Sequence, residues 1–566
     1  MSKRRKLGIF RRKALTKDID PDEIFLDSSN LPKFNTDQFE GHIEKPISKK
    51  VANSMMIFFL LVTIIFFGRV GYLQIVMGSS FENRSESNRL DREIIFPERG
   101  IIYDRNGDEL AWNEVNPENE DFSKRVYIDE SGFGHLLGFV DYPSQDSAGF
   151  YYEKNIIGLS GVENAYQDIL GGESGILLTE IDALGEIHSK SLTERPRDGR
   201  DLTLSIDKDI QNKLNTLIQE RAIGSGFLGG AGIIMDVNTG EIIAITSYPE
   251  FDSNILSDGK DREIINSYNT SNRKPFLNRA TTGLYTPGSI VKPFVAIAAL
   301  EENIIDPNKS ILSTGSISIP NPYYPNLASI FKDWKAHGWV DMREAIAVSS
   351  NIYFFEIGGG FEDQKGLGIR KIEEYLSKFG FGGTTGINFS SEAEGIIPNP
   401  EWKALNFDDD IWRLGDTYNT SIGQYGFQVT PIQAVRAVSA IANGGYLLTP
   451  VIEKTTHKKI EERLNIKEEN VKIIKEGMRL GVTEGISTGV NVPFVKVAGK
   501  TGTAEIGIDK LLINSWFVGF WPYENPKYAF VVMMEKGPRN NLVGSIWVIR
   551  QLLDWMNIYK PEYLKT

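Results

Sequence analysis

Ser289 and Lys292 stand three residues apart in LYTPGSIVKPF, residues 284–294. At helical spacing such side chains share one face, one turn apart. An amine so placed can take the proton of a hydroxyl that attacks a carbonyl. The spacing alone selects nothing, because Ser-x-x-Lys also begins at Ser205, Ser257, Ser271 and Ser329. Position distinguishes Ser289. Pro287-Gly288 sets a turn ahead of it and the apolar run VKPFVAIAAL follows. Its hydroxyl is therefore expected at the N-terminal end of a helix, where developing negative charge is favoured.

Two further constellations follow in order. Ser349-Ser350-Asn351, in the helical stretch DMREAIAVSSNIYFFEIGG, supplies a hydroxyl and an amide that both donates and accepts. Lys500-Thr501-Gly502-Thr503 holds the single Lys-Thr-Gly of the chain and ends an expected strand. Glycine there admits a close ligand at the strand edge, while lysine and threonine offer charge and hydroxyl to a carboxylate.

These residues need a scaffold. AGIIMDVNTGEIIAITSYPEF, from 231, reads as two strands joined through Asn238, Thr239 and Gly240. VKVAGKTGT (495–503), SWFVGFWP (515–522) and KYAFVVMMEK (527–536) read as three more, and VGSIWVIRQLLDWMNIY (543–559) as a helix. Strands at both ends of a helical middle predict one α/β domain closed by its own ends. Upstream, ERGIIYDRNGDELAWN (98–113) reads as a hairpin, and RDLTLSIDKDIQNKLNTLIQERA (200–222) as a strand passing into a helix capped by Asp207.

At 566 residues, 41% hydrophobic and 24% charged, the chain is long enough for two or three domains. A net charge of -13, with no alternation of basic and aromatic residues, argues against nucleic acid as a partner. Cysteine is absent, which excludes disulfides and thiol chemistry. The five histidines include no pair at metal-ligand helical spacing, so neither metal nor cofactor is expected. Residues 1–50 carry MSKRRK, RRK and KPISKK, and no charge appears from Val51 to Gly68. Eighteen helical residues rise about 27 Å, near the hydrocarbon thickness of a bilayer. Arg69 can snorkel to the interface. The basic flank precedes the span and predicts a cytoplasmic N-terminus, with everything after about residue 77 exported.

The ordered motifs are far more specific than their parts, and they resemble those of the penicillin-binding protein and serine β-lactamase superfamily. ERGIIYDRNG, GLSGVE, RDLTLSIDKDIQ, NRATTGLYTPGSIVKPF and GQYGFQVTPIQAVRAVSAIANGG are similar to class B penicillin-binding proteins, the monofunctional peptidoglycan transpeptidases. The likeness covers roughly residues 50–560, and it leans to the elongation type. It implies a membrane-anchored multidomain chain with a cytoplasmic tail (1–50), a transmembrane anchor (51–77), an elongated α+β pedestal or dimerisation-like module (78–228) and a C-terminal α/β serine transpeptidase domain (229–566).

The resemblance also implies roles. Lys292 would activate Ser289, Ser349 would relay a proton to the leaving D-alanine, and Asn351 would orient Lys292 and the substrate amide. Lys500, Thr501, Gly502 and Thr503 would form the carboxylate subsite, and the backbone N–H groups of Ser289 and Thr503 the oxyanion hole. A lowered Lys292 pKa would come from nearby Lys500 and from partial desolvation. Peptidoglycan stem peptides are the implied substrates and β-lactams the implied inhibitors. A polytopic membrane glycosyltransferase and morphogenetic proteins are the implied partners. A division-type transpeptidase, a D,D-carboxypeptidase, a β-lactam sensor and a non-enzymatic wall scaffold remain open. Elsewhere, Trp402 and Trp412 read as packing, His337 as a structural histidine, Asp409-Asp410 as solvent-facing, and Gly158 and Gly161 as structural.

Overall fold

The computed structural model describes residues 48–79, 90–147, 151, 153–181, 187–321, 324, 326–389, 391–455, 460–507, 509–541 and 543–565. The basic tail, residues 1–47, lies outside them. The chain divides into two units, residues 1–89 and 90–566.

In the first, helix α1 (Lys49–Gly71) starts at Ser48, whose side chain accepts from Val51 N, and runs on as a π-helical turn at Tyr72–Val76. None of its side chains is buried, and its apolar window has a mean hydropathy of 2.3. By length and composition it can cross a membrane, as the charge-free run predicts.

The second unit opens on small sheets. Glu109–Glu114 lies between Lys124–Tyr127 and Ile102–Tyr103, and Leu202–Thr203 pairs in parallel with the last. The Asn-Gly signal is a true turn: the Asp104 carboxylate accepts from the backbone N–H groups of Asn106 at 2.7 Å and Asp108 at 2.9 Å. Three strands, Leu90–Ile95, Gly175–Ile181 and Ile187–Glu194, form a separate antiparallel sheet. What ties this region together is Glu163, wholly buried between two guanidinium groups. Arg99 Nε donates to it at 2.5 Å and Arg125 Nε at 2.7 Å. Thus ERG and GVE, 64 residues apart, meet in one clamp. Gly161 (φ +60°) closes beneath it, where a Cβ would meet the Gly138 nitrogen at 2.5 Å, so its role is structural, as expected.

The remainder contains α2 (Lys208–Ser225), β1 (Gly229–Asp236), β2 (Ile242–Tyr248), α3 (Lys292–Glu301), α4 (Met342–Val348), α5 (Asn351–Gly359), α6 (Pro431–Ala442), α7 (Glu468–Thr483), β3 (Ala498–Ile506), β4 (Leu512–Trp521), β5 (Tyr528–Pro538) and α8 (Ser545–Tyr559). The strands form an antiparallel sheet ordered β2-β1-β5-β4-β3, with Ile233 opposite both Ile245 and Val531. The first strands pair with the last, as predicted from their places in the chain. Successive residues face opposite sides of the pleat. Ile233, Val531 and Trp516 enter the core shared with α3 and α6, while Ile234, Val532 and Phe517 enter the core shared with α2 and α8.

One sequence expectation changes here. The sequence places residues 208–225 in the module ending at 228, whereas α2 packs on the sheet through Ile210, Leu214 and Ile218. Its apolar stripe covers the sheet and α8 together, so α2 packs into the core of the C-terminal domain. Asp207 caps it as predicted, accepting from Ile210 N at 3.2 Å.

Burial alone would raise the Glu163 carboxyl, but Arg125 and Arg99 overcome it and hold the group below its ordinary range. A folded pKa below the unfolded one means that this stabilisation is present above the carboxylate range and is lost as pH falls through the folded value. Glu163→Ala leaves two buried cations unpaired and is expected to cost about 3–5 kcal/mol in urea unfolding at neutral pH. A loss under about 1 kcal/mol would contradict the clamp.

Candidate active site

The Ser289 turn is fixed from three sides. Tyr285 and Val429 exchange backbone hydrogen bonds at 3.0 and 2.9 Å. Trp516 Nε1 donates to the Thr286 carbonyl at 3.0 Å. Gly288 N donates to the Gly423 carbonyl at 2.9 Å. Gly288 has φ +58°, a left-handed conformation natural to glycine. After it the chain makes one 3-10 turn, Gly288–Val291, and passes into α3, with Pro293 in the first turn. Ser289 is partly exposed at the N-terminal end, as predicted, whereas Lys292 is fully buried.

Burial follows from α3 being apolar on all sides, from Pro293 to Leu300, so that every face is covered. Lys292 is the one cation in that helix and must find acceptors. Its Nζ donates to Asn351 Oδ1 at 2.8 Å, to the Ser349 carbonyl at 2.8 Å and to Ser349 Oγ at 3.2 Å. The first two motifs are therefore in direct contact.

The second motif does not sit within one helix, as its sequence suggests. Helix α4 stops at Ser349, which adopts left-handed φ 58°, ψ 42°, and α5 starts afresh with Ser350 as its cap. Asp333 explains the break. Its Oδ2 accepts from the backbone N–H groups of Asn351 at 2.8 Å and Ile352 at 3.1 Å, which a continuous helix would have used internally. The break turns the Ser349 carbonyl and hydroxyl and the Asn351 amide toward one point.

The third motif lies on β3, the edge strand of the sheet, against the Ser289 turn. Lys500 is buried, and its Nζ donates to the Thr501 carbonyl at 2.9 Å. Thr501 is partly exposed and Thr503 exposed at the open edge. The close approach at Gly502 is made by the protein itself: a Cβ there would meet the Pro287 carbonyl oxygen at 2.6 Å and Ile290 Cγ2 at 2.8 Å. Glycine here lets the strand lie against the Ser289 turn.

Burial is the main cause that pushes Lys292 down, to about 7, with Asp333 opposing it. Lys500 is also held well below the ordinary amine range, by burial and then by Lys292. Of the two expected causes, Lys500 and desolvation, desolvation is the one that lowers the Lys292 amine. A partly neutral amine one turn from a hydroxyl, beside a second lysine at an open strand edge, can activate an alcohol against a substrate carrying a carboxylate.

Other expectations resolve nearby. The His337 side chain is buried, with Nε2 3.6 Å from Asp333 Oδ1. Trp402 and Trp412 pack edge-on to Tyr425. Asp410 is not simply solvent-facing, because it pairs at 3.0 Å with Lys403, a buried cation that also needs Asp416 at 2.7 Å. Asp333 and Gly423 went unnoticed in the sequence, since neither forms a local motif with the residues it serves. Gly423, φ +75°, leaves no room for a Cβ, which would meet the Gly288 carbonyl oxygen at 2.2 Å.

A family described as the penicillin binding protein transpeptidase domain matches residues 230–547, and the penicillin-binding protein dimerisation domain matches 118–204. The peptidoglycan D,D-transpeptidase MrdA of Acinetobacter baumannii is 29% identical over 570 residues, covering 83% of this chain and 82% of the relative. The protein of the same name from Escherichia coli strain K12 is 26% identical over 603 residues, covering 88% and 92%. Among solved structures, penicillin-binding protein 2 (PBP2) of Pseudomonas aeruginosa superposes with a TM-score of 0.70 at 28% identity, covering 84% of this chain and 99% of that one. Helicobacter pylori PBP2, in a complex with MreC, gives 0.70 at 26% identity with the same coverage.

Gly423→Ala forces the Ser289 turn aside, and benzylpenicillin acylation is expected to fall about tenfold to a hundredfold, measured by fluorescent-penicillin labelling of the folded protein. Labelling at the unsubstituted rate would contradict the steric account.

Proposed function

This chain belongs to the penicillin-binding protein transpeptidase family, and from that we propose that it is a class B, elongation-type peptidoglycan D,D-transpeptidase acting through a Ser289 acyl-enzyme. One observation carries the proposal: a fully buried lysine amine, held by Ser349 and Asn351, stands one turn from a partly exposed serine. The MrdA relatives support the wall-crosslinking reaction and the elongation type.

In the proposed sequence, neutral Lys292 takes the Ser289 Oγ proton as Oγ bonds to the carbonyl carbon between the two terminal D-alanines of a stem peptide. The backbone N–H groups of Ser289 and Thr503 hold the oxyanion. The C–N bond breaks, and the proton passes from Lys292 through Ser349 Oγ to the departing D-alanine amine. A neighbouring strand's amine then attacks the ester and gives its proton to Lys292, which returns it to Ser289 Oγ as the acyl C–O bond breaks. Lys500, Thr501 and Thr503 bind the terminal carboxylate, while Gly502 keeps the strand against the turn.

The apolar helix supplies a single-pass anchor. Its basic flank supports a cytoplasmic N-terminus and an extracytoplasmic catalytic domain. We place the pedestal between the anchor and about residue 207, ahead of α2, and the transpeptidase domain after it. The likeness to a PBP2 in complex with MreC supports assembly of this chain with morphogenetic proteins, with a polytopic glycosyltransferase as a further partner.

Intact-mass spectrometry with benzylpenicillin is expected to give one slowly lost adduct, mapped to Ser289 and absent in Ser289→Ala. Lys292→Ala should slow its formation by about a hundredfold to ten-thousandfold. Rapid turnover of the drug would point to a β-lactamase instead, and no adduct on folded protein would point to a scaffold.

A further inference from the structure

Asp333 lies outside all three motifs, one residue beyond the strand Ala328–Lys332. Its carboxylate is wholly withdrawn from solvent. Burying a carboxylate is costly unless its lone pairs are satisfied, and here they are. Oδ2 accepts from Ser350 Oγ at 2.8 Å, Asn351 N at 2.8 Å, Ile352 N at 3.1 Å and Ser313 Oγ at 3.2 Å. Oδ1 accepts from Trp334 N at 2.9 Å. The ion-pair neighbour among the described residues is His337, which burial keeps below its ordinary range. A buried anion thus spends three of its bonds on the residues that follow Ser349.

Those bonds have a geometric consequence. Ser349 is a non-glycine residue in the left-handed region, a strained conformation that persists only where its surroundings impose it. The two amides and the hydroxyl immediately after it are all anchored to one oxygen. With the start of α5 so pinned, the Ser349 carbonyl, its hydroxyl and the Asn351 amide oxygen converge on Lys292 Nζ.

We propose that Asp333 is a positioning residue for acylation, whose carboxylate locks the Ser349–Asn351 turn in the geometry that receives the Lys292 amine. The inference rests on the Ser289 acyl-enzyme proposed above. The negative charge acts a second way, because it favours the ammonium form of Lys292 against the burial that opposes it. Among the described residues the titratable groups around the two side chains are Lys500 beside Lys292, and His337 beside Asp333 with Lys335 acting on that histidine; Ser349, Ser350 and Asn351 carry no charge. Removing the Asp333 charge therefore moves the acidic limb of acylation to lower pH, an effect that mere loss of packing does not produce.

The test is the second-order rate of fluorescent-penicillin acylation of the full-length protein in detergent, measured against pH, with thermal unfolding alongside. The unsubstituted protein should label on Ser289; if it does not, the acyl-enzyme itself fails, and this inference with it. Asp333→Asn is expected to lower the plateau rate about tenfold and to move the acidic limb down. Asp333→Glu should restore the limb to its original position. Ser350→Ala, which removes one donor and no charge, should lower the rate by a smaller factor with the limb unmoved. Should Asp333→Asn not fold, Asp333→Glu and Ser350→Ala carry the test through the plateau rate alone. Normal Ser289 labelling together with unsubstituted rates in the folded variants, or a slower rate in Asp333→Asn with an unmoved limb, would overturn the role.

Discussion

The catalytic half of this protein is organised around one buried amine. Lys292 projects from a helix apolar on every side into an interior where an ammonium ion is costly. Two outcomes relieve that cost: loss of the proton, and hydrogen bonds to well-placed acceptors. The structure uses both, since the amine is pushed down to about 7 and still meets three oxygens. Helix α4 has to stop at Ser349, and α5 has to restart, for those oxygens to converge. Strand β3 has to lie against the Ser289 turn, which requires glycine at 502 and 288. The site's shape follows from the need to keep a lysine inside and reactive.

The pedestal region rests on a different constraint. Two guanidinium groups share the wholly buried carboxylate of Glu163. Contacts then reach from this region to the catalytic sheet. Glu250, just after β2, accepts from Gly132 N and Gly134 N, and burial pushes its carboxyl up to about 7 even so. Asn254 bonds both ways with the Tyr127 backbone, at 2.9 Å each. Arg105 of the Asn-Gly hairpin pairs with Glu241 at 3.3 Å. The region ahead of α2 and the catalytic sheet are thus joined by directional polar contacts laid over one continuous apolar core.

Much of this was legible in the sequence because the information was local. Pro287-Gly288 before an apolar run gave the Ser289 turn, Asn238-Thr239-Gly240 gave the central hairpin, and Asp207 gave a helix start. The three motifs, in order, named their own residues. What was not legible depends on contacts distant in the chain. Asp333 precedes Asn351 by 18 residues and shares no pattern with it. The stretch around Ser349 has helical propensity throughout, and a carboxylate from elsewhere breaks it. Gly423 matters through one carbonyl, that of Gly288. Helix α2 follows its strand directly and so reads as the close of the upstream module, yet its apolar face packs on the sheet and on α8, both of which come later in the chain.

The central claim is that a neutral Lys292 activates Ser289, and the most direct test is the pH dependence of Ser289 acylation by benzylpenicillin in the unsubstituted protein. The amine's folded value, about 7, lies below the ordinary lysine value of 10.5, so the neutral fraction rises through the neutral range. The acylation rate is predicted to rise about tenfold per pH unit below that value and to level off above it. A rate that stays flat from about pH 5.5 to 8.5, or that begins to rise only near the ordinary lysine value, would contradict it.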